Sequence, residues 1–149
     1  MFSATIFNID FTGSQTADTN DNLVAAHIHA AAAVTPTTNG SVVWGFFGSP
    51  FNDTNSPTPG NDCTPFATGV GGTCAGTWDA TEGNGAGVSL TNQLQFILSG
   101  KSYINFHTTQ NPGGEIRGNI IQAVPEPASL TLIGLGLAGL VALRRRRSI

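Results

Sequence analysis

Short segments in which apolar and polar residues alternate recur along the chain, and turn-forming stretches separate them. Phe7, Ile9 and Phe11 alternate with polar neighbours in residues 3–11, which is the two-residue period of a half-buried β-strand. The stretch 13–22 (GSQTADTNDN) then predicts a turn. Nineteen Gly and eight Pro among 149 residues argue against a protein of long helices. These features indicate an all-β protein of short strands.

The remaining segments complete this prediction. Leu90, Leu94, Ile97 and Leu98 have helical spacing, so we expect one short helix that ends at Gly100. Further strands are expected at 24–30, 41–47, 75–80, 103–108 and 115–121, with a long loop at 48–73 and a hairpin turn at 109–114. The expected fold is therefore an immunoglobulin-like β-sandwich or a partly open barrel with one short helix.

The distribution of charge argues against a nucleic-acid partner. The formal net charge is −3 at pH 7, but four of the six basic residues lie together at 144–147. Residues 1–124 hold two basic residues, Lys101 and Arg117, against eight acidic ones. Binding to phosphates needs clustered Lys and Arg side chains, so we expect no nucleic acid to bind.

An uncharged apolar segment lies close to the C-terminus. Its sixteen residues, 128–143 (ASLTLIGLGLAGLVAL), would span about 24 Å as a helix. That length is short for a membrane span but adequate for a thin bilayer. The alternative is a buried core helix, yet the apolar residues surround the helix instead of forming one stripe. We expect a single transmembrane helix, with residues 144–147 on the cytoplasmic side and residues 1–124 on the other.

The residues that flank this helix form a motif. Pro125, Glu126 and Pro127 precede it, and Arg144, Arg145, Arg146 and Arg147 follow it. The combination resembles the PEP-CTERM sorting signal of exported bacterial proteins. The resemblance implies recognition by an exosortase-type membrane protease, a transient membrane anchor, and delivery to the cell envelope, cell surface or extracellular matrix. It divides the chain into a body, 1–122, and a sorting segment, 123–149.

The N-terminus does not match this export tail. Residues 1–10 (MFSATIFNID) lack the basic and apolar regions of a signal peptide and predict a strand. Either the start codon is misassigned or an upstream piece has been lost. The conflict with the sorting segment favours an N-terminal truncation that removed the signal peptide.

Two cysteines fit the same compartment. Cys63 and Cys74 lie eleven residues apart among Gly, Thr and Pro. In an oxidising envelope they are expected to form a disulfide, and the alternative is a pair of free thiols. A zinc site made by this pair is not expected, because the C-x₂-C spacing is absent.

The three histidines fall on segments where their side chains can meet. His27 and His29 lie two residues apart on one predicted strand, so both emerge on the same face. His107 and Glu115 are expected on the outward faces of the last two strands. If these strands are neighbours, three imidazoles and a carboxylate form a site for Zn²⁺ or Cu²⁺. The alternative is that all are outward-facing polar residues, with Glu115 paired to Arg117.

Four further stretches carry a second resemblance. They are 26–29 (AHIH), 39–43 (NGSVV), 98–108 (LSGKSYINFHT) and 111–118 (NPGGEIRG). Together they resemble the motifs of the CHRD (chordin-type) domain over residues 1–122. The resemblance implies a β-rich extracellular module with no established biochemical activity in most members. The family's first strand has no counterpart here, in line with a truncation.

We therefore expect an exported, surface- or matrix-associated β module that is not an enzyme and has a binding or structural role in the bacterial cell envelope. Extracellular polysaccharide and matrix proteins are the candidate partners. Sugars can stack on aromatic rings such as Trp44, Trp78 and Tyr103, but Trp44 lies in an apolar run and is expected in the core. The alternative is a copper or zinc protein built on the histidines, with or without redox activity. No Gly-x-Ser-x-Gly elbow of a nucleophilic enzyme is present in the sequence.

Overall fold

The computed structural model describes residues 1–121, which form seven strands and one helix. In chain order these elements are β1 (Phe2–Phe7), β2 (Leu23–Ala30), β3 (Ser41–Gly48), β4 (Cys63–Pro65), β5 (Gly71–Gly76), α1 (Leu90–Leu98), β6 (Ser102–Thr108) and β7 (Ile116–Asn119).

The strands build two antiparallel sheets. One has the order β1-β5-β4 and the other the order β3-β2-β6-β7. The sheets pack face to face, because Phe2 of β1 contacts Trp44 and Phe46 of β3 with ring centroids 5.4 and 4.5 Å apart. The prediction of a β-sandwich with one short helix is confirmed.

Aromatic side chains fill the space between the sheets. Trp44 and Phe46 are fully buried, and Phe106 packs edge-on against Phe46 at 5.8 Å. Trp78 stacks on Trp44 at 5.7 Å and is only 7% exposed. Tyr103 is 2% exposed. Trp44 lies in the core, as its apolar run predicts, and the packed domain also buries Trp78 and Tyr103, so these rings offer no surface on which sugars can stack.

The prediction that Phe7, Ile9 and Phe11 share one face of a single strand is wrong. Strand β1 ends at Phe7 because Asn8 adopts a left-handed conformation with φ of 62°. Phe7 is 64% exposed. Ile9 and Phe11 then turn into the core. Asp10 holds the next turn: burial raises its pKa, but hydrogen bonds from the backbone of Thr16, Thr12 and Gly13 outweigh burial and lower it to about 2.

Other details also differ from the sequence prediction. The segment 48–73 is not one loop, since it contains β4 and the first residues of β5. The strand expected at 75–80 ends at Gly76, and Trp78 lies outside it because its indole donates to the Glu82 carbonyl at 2.8 Å. On β2, a register irregularity brings Leu23 into the core and leaves Val24 46% exposed.

The helix is found where its periodicity predicts it. Ser89 caps the N-terminus of α1 by accepting from the Asn92 N–H. Two residues beyond the last turn, Gly100 has φ of 71°, which ends the helix and leads the chain into β6.

The predicted disulfide is present. Cys63 and Cys74 face each other in the β4–β5 register and are bonded to each other. No free cysteine remains in the chain. The bond fastens the short edge strand β4 to its sheet.

Removing this bond is expected to lower stability without changing the fold. The double variant Cys63→Ala/Cys74→Ala releases a loop of eleven residues, which by loop-closure entropy costs about 2–3 kcal/mol. Urea unfolding of the oxidised wild type and the variant measures the difference. An unchanged unfolding midpoint would contradict the stabilising role.

Within residues 1–121, no helix is long and apolar enough to cross a membrane. The predicted helix 128–143, the Pro125-Glu126-Pro127 motif and the arginines at 144–147 lie outside the described residues.

Candidate metal centre

The three histidines meet on the face of the four-stranded sheet that points away from the core. Strand β2 lies between β3 and β6, so the adjacency that the sequence argument had to assume is present. The ring centroids of His27 and His107 are 4.9 Å apart, and His29 lies 5.9 Å from His27 and 5.8 Å from His107. The structure therefore brings all three imidazoles into one cluster.

This histidine cluster is buried. His27, His29 and His107 are 5%, 7% and 8% exposed. Their expected position on the outward face of the sheet is confirmed, but this face is covered and not exposed to solvent. Loops that carry Gly40, Ser49 and Pro112 fold over this face of the sheet and contact the rings.

Each ring has one nitrogen that faces a backbone carbonyl of these loops. His27 Nε2 lies 3.1 Å from the Ser49 oxygen, His29 Nδ1 lies 2.9 Å from the Gly40 oxygen, and His107 Nδ1 lies 2.9 Å from the Pro112 oxygen. A carbonyl only accepts, so these three nitrogens carry the ring protons and donate. In the neutral form of each ring, these hydrogen bonds fix the tautomer.

The other three nitrogens point toward one another as bare acceptors. His27 Nδ1 lies 3.2 Å from His107 Nε2, although both are left with lone pairs by the outer hydrogen bonds. His29 Nε2 is buried with no hydrogen-bond partner. Buried acceptors that face one another without a proton cost free energy, and they require an explanation.

The arrangement of these nitrogens suits a metal ion. One ligand nitrogen from each histidine lies within 4.8 Å of the others. A metal bound at 2.0–2.1 Å holds two imidazole nitrogens about 3.3 Å apart in tetrahedral geometry, which the 3.2 Å pair of His27 and His107 matches. The nitrogens of the whole set lie within 4.8 Å of one another, so the third ring would move inward to reach the same ion. The outer carbonyls are the partners that orient metal-bound histidines in proteins.

The surroundings of His27 and His29 favour their neutral forms, which metal ligation requires. Burial, and to a smaller extent the neighbouring His107, lower the pKa of His27 to about 4, and the Ser49 carbonyl opposes part of this shift. Burial also lowers the pKa of His29, against the Gly40 carbonyl. At neutral pH both rings therefore present free lone pairs.

The metal-free protein is expected to lose stability as the pH falls from about 6.5 to about 4. His27 takes up its proton near pH 6.5 when unfolded but near 4 when folded, so acid favours the unfolded state in this window. The loss is on the order of 2 kcal/mol, fully developed below pH 4. Urea unfolding in EDTA at several pH values measures it. The variant His27→Gln should show a smaller slope, and equal slopes would contradict the assignment.

Residues that the sequence analysis did not assign to the site hold the outer carbonyls in place. The Tyr103 hydroxyl accepts from the Gly40 N–H at 3.3 Å, and its ring stacks on His29 at 4.7 Å. Asn105 Nδ2 donates to the Gly113 oxygen, which fastens the turn that carries Pro112. The pattern of alternate residues 103, 105 and 107 on one face was visible in the sequence, but their partners were not.

Gly45 allows the loop that carries Ser49 to approach His27. A side-chain carbon on Gly45 would lie 1.8 Å from the Pro50 oxygen and 3.0 Å from His27 Cδ2. The absence of a side chain therefore lets the 49–52 loop approach β3 and place Ser49 on His27. Asn52 fastens this loop, since its side-chain oxygen accepts from the Gly45 N–H at 2.9 Å.

Glu115 does not join the cluster, which corrects its assignment as a fourth ligand. Its exposed carboxylate accepts from Thr108 and Asn111, and these hydrogen bonds lower its pKa. The pairing of Glu115 with Arg117 is also wrong. The Arg117 guanidinium instead lies 3.6 Å above the Tyr103 ring and donates to Asn39. The turn at 109–114 directs Glu115 toward its own hairpin.

Comparisons with known proteins give two family matches. The CHRD domain model matches residues 2–120, and the PEP-CTERM protein-sorting motif matches residues 123–147. Comparison with curated proteins and with solved structures gave no significant match. Neither matched family is an enzyme family, and the sorting motif indicates an exported protein that is targeted by exosortase to the cell envelope or surface. The chain therefore belongs to the CHRD domain family and ends in a PEP-CTERM sorting motif.

Proposed function

We propose that this surface protein is a non-enzymatic binding module whose ligand is one zinc or copper ion, held by His27, His29 and His107. The observation that carries the proposal is the set of bare inner nitrogens described above, within 4.8 Å of one another. Zinc and copper both accept several neutral imidazoles. Three protein ligands leave a further coordination position for water or a small partner ligand.

The sorting segment supplies the transport that this role requires. Pro125, Glu126 and Pro127 are the processing residues in this proposal, and the helix 128–143 with the arginines at 144–147 is a transient anchor. Removal by exosortase releases the 1–122 domain at the envelope or in the matrix. A metal-binding domain delivered in this way sequesters or carries the ion outside the cytoplasm.

A second candidate is a purely structural or adhesive role in the matrix, with polysaccharide or protein partners. The sorting motif targets the protein to the surface whether or not an ion is bound, which is consistent with a structural or adhesive role there. With Trp44, Trp78 and Tyr103 buried, any sugar contact in this role uses other residues.

Equilibrium dialysis separates the two roles. The full chain, purified without a His tag in detergent micelles and stripped with EDTA, is dialysed against Zn²⁺ or, under reducing conditions, Cu⁺. The metal role predicts one ion retained per chain. A folded protein that retains neither ion would contradict it and leave the structural role, to be pursued with polysaccharide pull-downs.

A further inference from the structure

The histidine cluster offers a metal ion no negative charge. Its three donors are neutral imidazoles, and their outer partners are the neutral carbonyls of Ser49, Gly40 and Pro112. In many zinc sites a carboxylate occupies this outer position and increases the basicity of the ligand. No carboxylate contacts the rings among the hydrogen bonds of residues 1–121.

A fixed positive charge lies behind one of the ligands. The Arg117 guanidinium stacks on the Tyr103 ring at 3.6 Å, and the opposite face of Tyr103 is not free, because His29 lies parallel to the ring at 4.7 Å. The His29 and Tyr103 rings are within 8° of parallel. The stack therefore connects the cation to the candidate ligand through a single aromatic ring.

The charge of Arg117 is not neutralised by its own partners. Its guanidinium donates to the Asn39 amide oxygen and to the carbonyls of Thr35 and Thr38. Arg117 Nε is buried and has no partner among the described residues. These contacts hold the side chain in place without a carboxylate to neutralise its charge.

Such surroundings discriminate by the charge of the ion. The cost of removing an ion from water increases steeply with its charge, and a site without anionic ligands offsets this cost less well for a dication than for a monocation. Repulsion by Arg117 also doubles when the ion carries two charges instead of one. Imidazole nitrogens suit copper, and a singly charged copper ion has a lower desolvation cost and is repelled less by Arg117 than a dication.

We propose that the histidine cluster selects cuprous copper, Cu⁺, over the dications Zn²⁺ and Cu²⁺, and that Arg117 contributes to this selectivity through Tyr103. This inference rests on the proposed metal-binding function and identifies its ligand. One unit of charge at the distance of this stack changes the relative affinity for a monocation and a dication by about tenfold at an effective dielectric constant of about 20.

The test compares dissociation constants for Cu⁺ and Zn²⁺ on the full chain in detergent micelles. Cu⁺ is measured anaerobically with ascorbate by competition with a chromophoric Cu⁺ chelator, and Zn²⁺ by competition with a zinc dye. We expect the wild type to bind Cu⁺ more tightly. Tighter binding of Zn²⁺ would overturn the inference and leave the proposed function intact, whereas binding of neither ion would overturn both.

Three variants test the part played by Arg117. Arg117→Gln removes the charge and should shift the affinity ratio about tenfold toward Zn²⁺, while Arg117→Lys keeps the charge and should retain the wild-type ratio. Lys101→Gln removes the same charge from an exposed residue and serves as the matched control. The reduction potential of bound copper should fall by about 59 mV in Arg117→Gln alone, the equivalent of a tenfold change for one electron. Equal shifts in Arg117→Gln and Arg117→Lys would overturn the electrostatic role.

Discussion

Replacing His107 by alanine is expected to weaken metal binding at least 100-fold. The variant removes one of three ligands, and the loss of a mere outer partner of a metal-bound histidine typically costs 10- to 100-fold. The remaining nitrogens of His27 and His29 belong to rings 5.9 Å apart and would form at most a two-ligand site. Competition titration with Zn²⁺ and Cu⁺ measures the loss.

The matched control for this variant is Thr109→Ala. Thr109 is exposed one residue beyond β6, and its backbone N–H bond to the Asn22 oxygen remains in the variant. The control should bind metal like the wild type. Wild-type affinity in His107→Ala would mean that the ion binds elsewhere.

Replacing Gly45 by alanine should damage both the fold and the site. The added carbon would overlap the Pro50 carbonyl at 1.8 Å, a backbone atom that moves only if the whole 49–52 loop moves. Overpacking of this kind costs about 3 kcal/mol. Because the same loop carries the Ser49 carbonyl that orients His27, we expect metal affinity to fall at least tenfold as well. Urea unfolding measures the first effect and metal competition the second.

Gly113→Ala provides the comparison for this substitution. A side-chain carbon on Gly113 meets nothing within 4 Å, although the residue lies in the turn that covers the same cluster. Stability and affinity should both stay near wild type. If Gly45→Ala were as mild as Gly113→Ala, the close approach of the loop to β3 would have no energetic role.

Secondary structure was predicted correctly where it depends only on local periodicity. The alternation around His27 and His29 placed both rings on one face, and the leucines of α1 gave the helix its bounds. The failures occurred where one residue breaks the period. Asn8 ends β1 by adopting a positive φ, and the Trp78 indole bonds to Glu82 instead of continuing a strand.

The three histidines of the candidate site were predictable from the sequence, but Glu115 was not excluded and the surroundings of the rings were not visible. The adjacency of β2 and β6 follows from sheet topology, which a single sequence does not determine. Burial of the rings depends on loops whose backbone oxygens have no sequence signature. The stack of His29, Tyr103 and Arg117 joins residues 74 and 14 positions apart in the chain, so only the folded structure shows it.

X-ray absorption spectroscopy on the metal-loaded full chain tests the three-histidine site most directly. We expect three nitrogen ligands at about 2.0 Å, imidazole scattering from each ring, and no sulfur ligand. The imidazole signal should decrease by one ring in a His29→Ala variant that still retains some metal. A first shell of oxygen atoms, or a spectrum unchanged by loss of His29, would contradict the site.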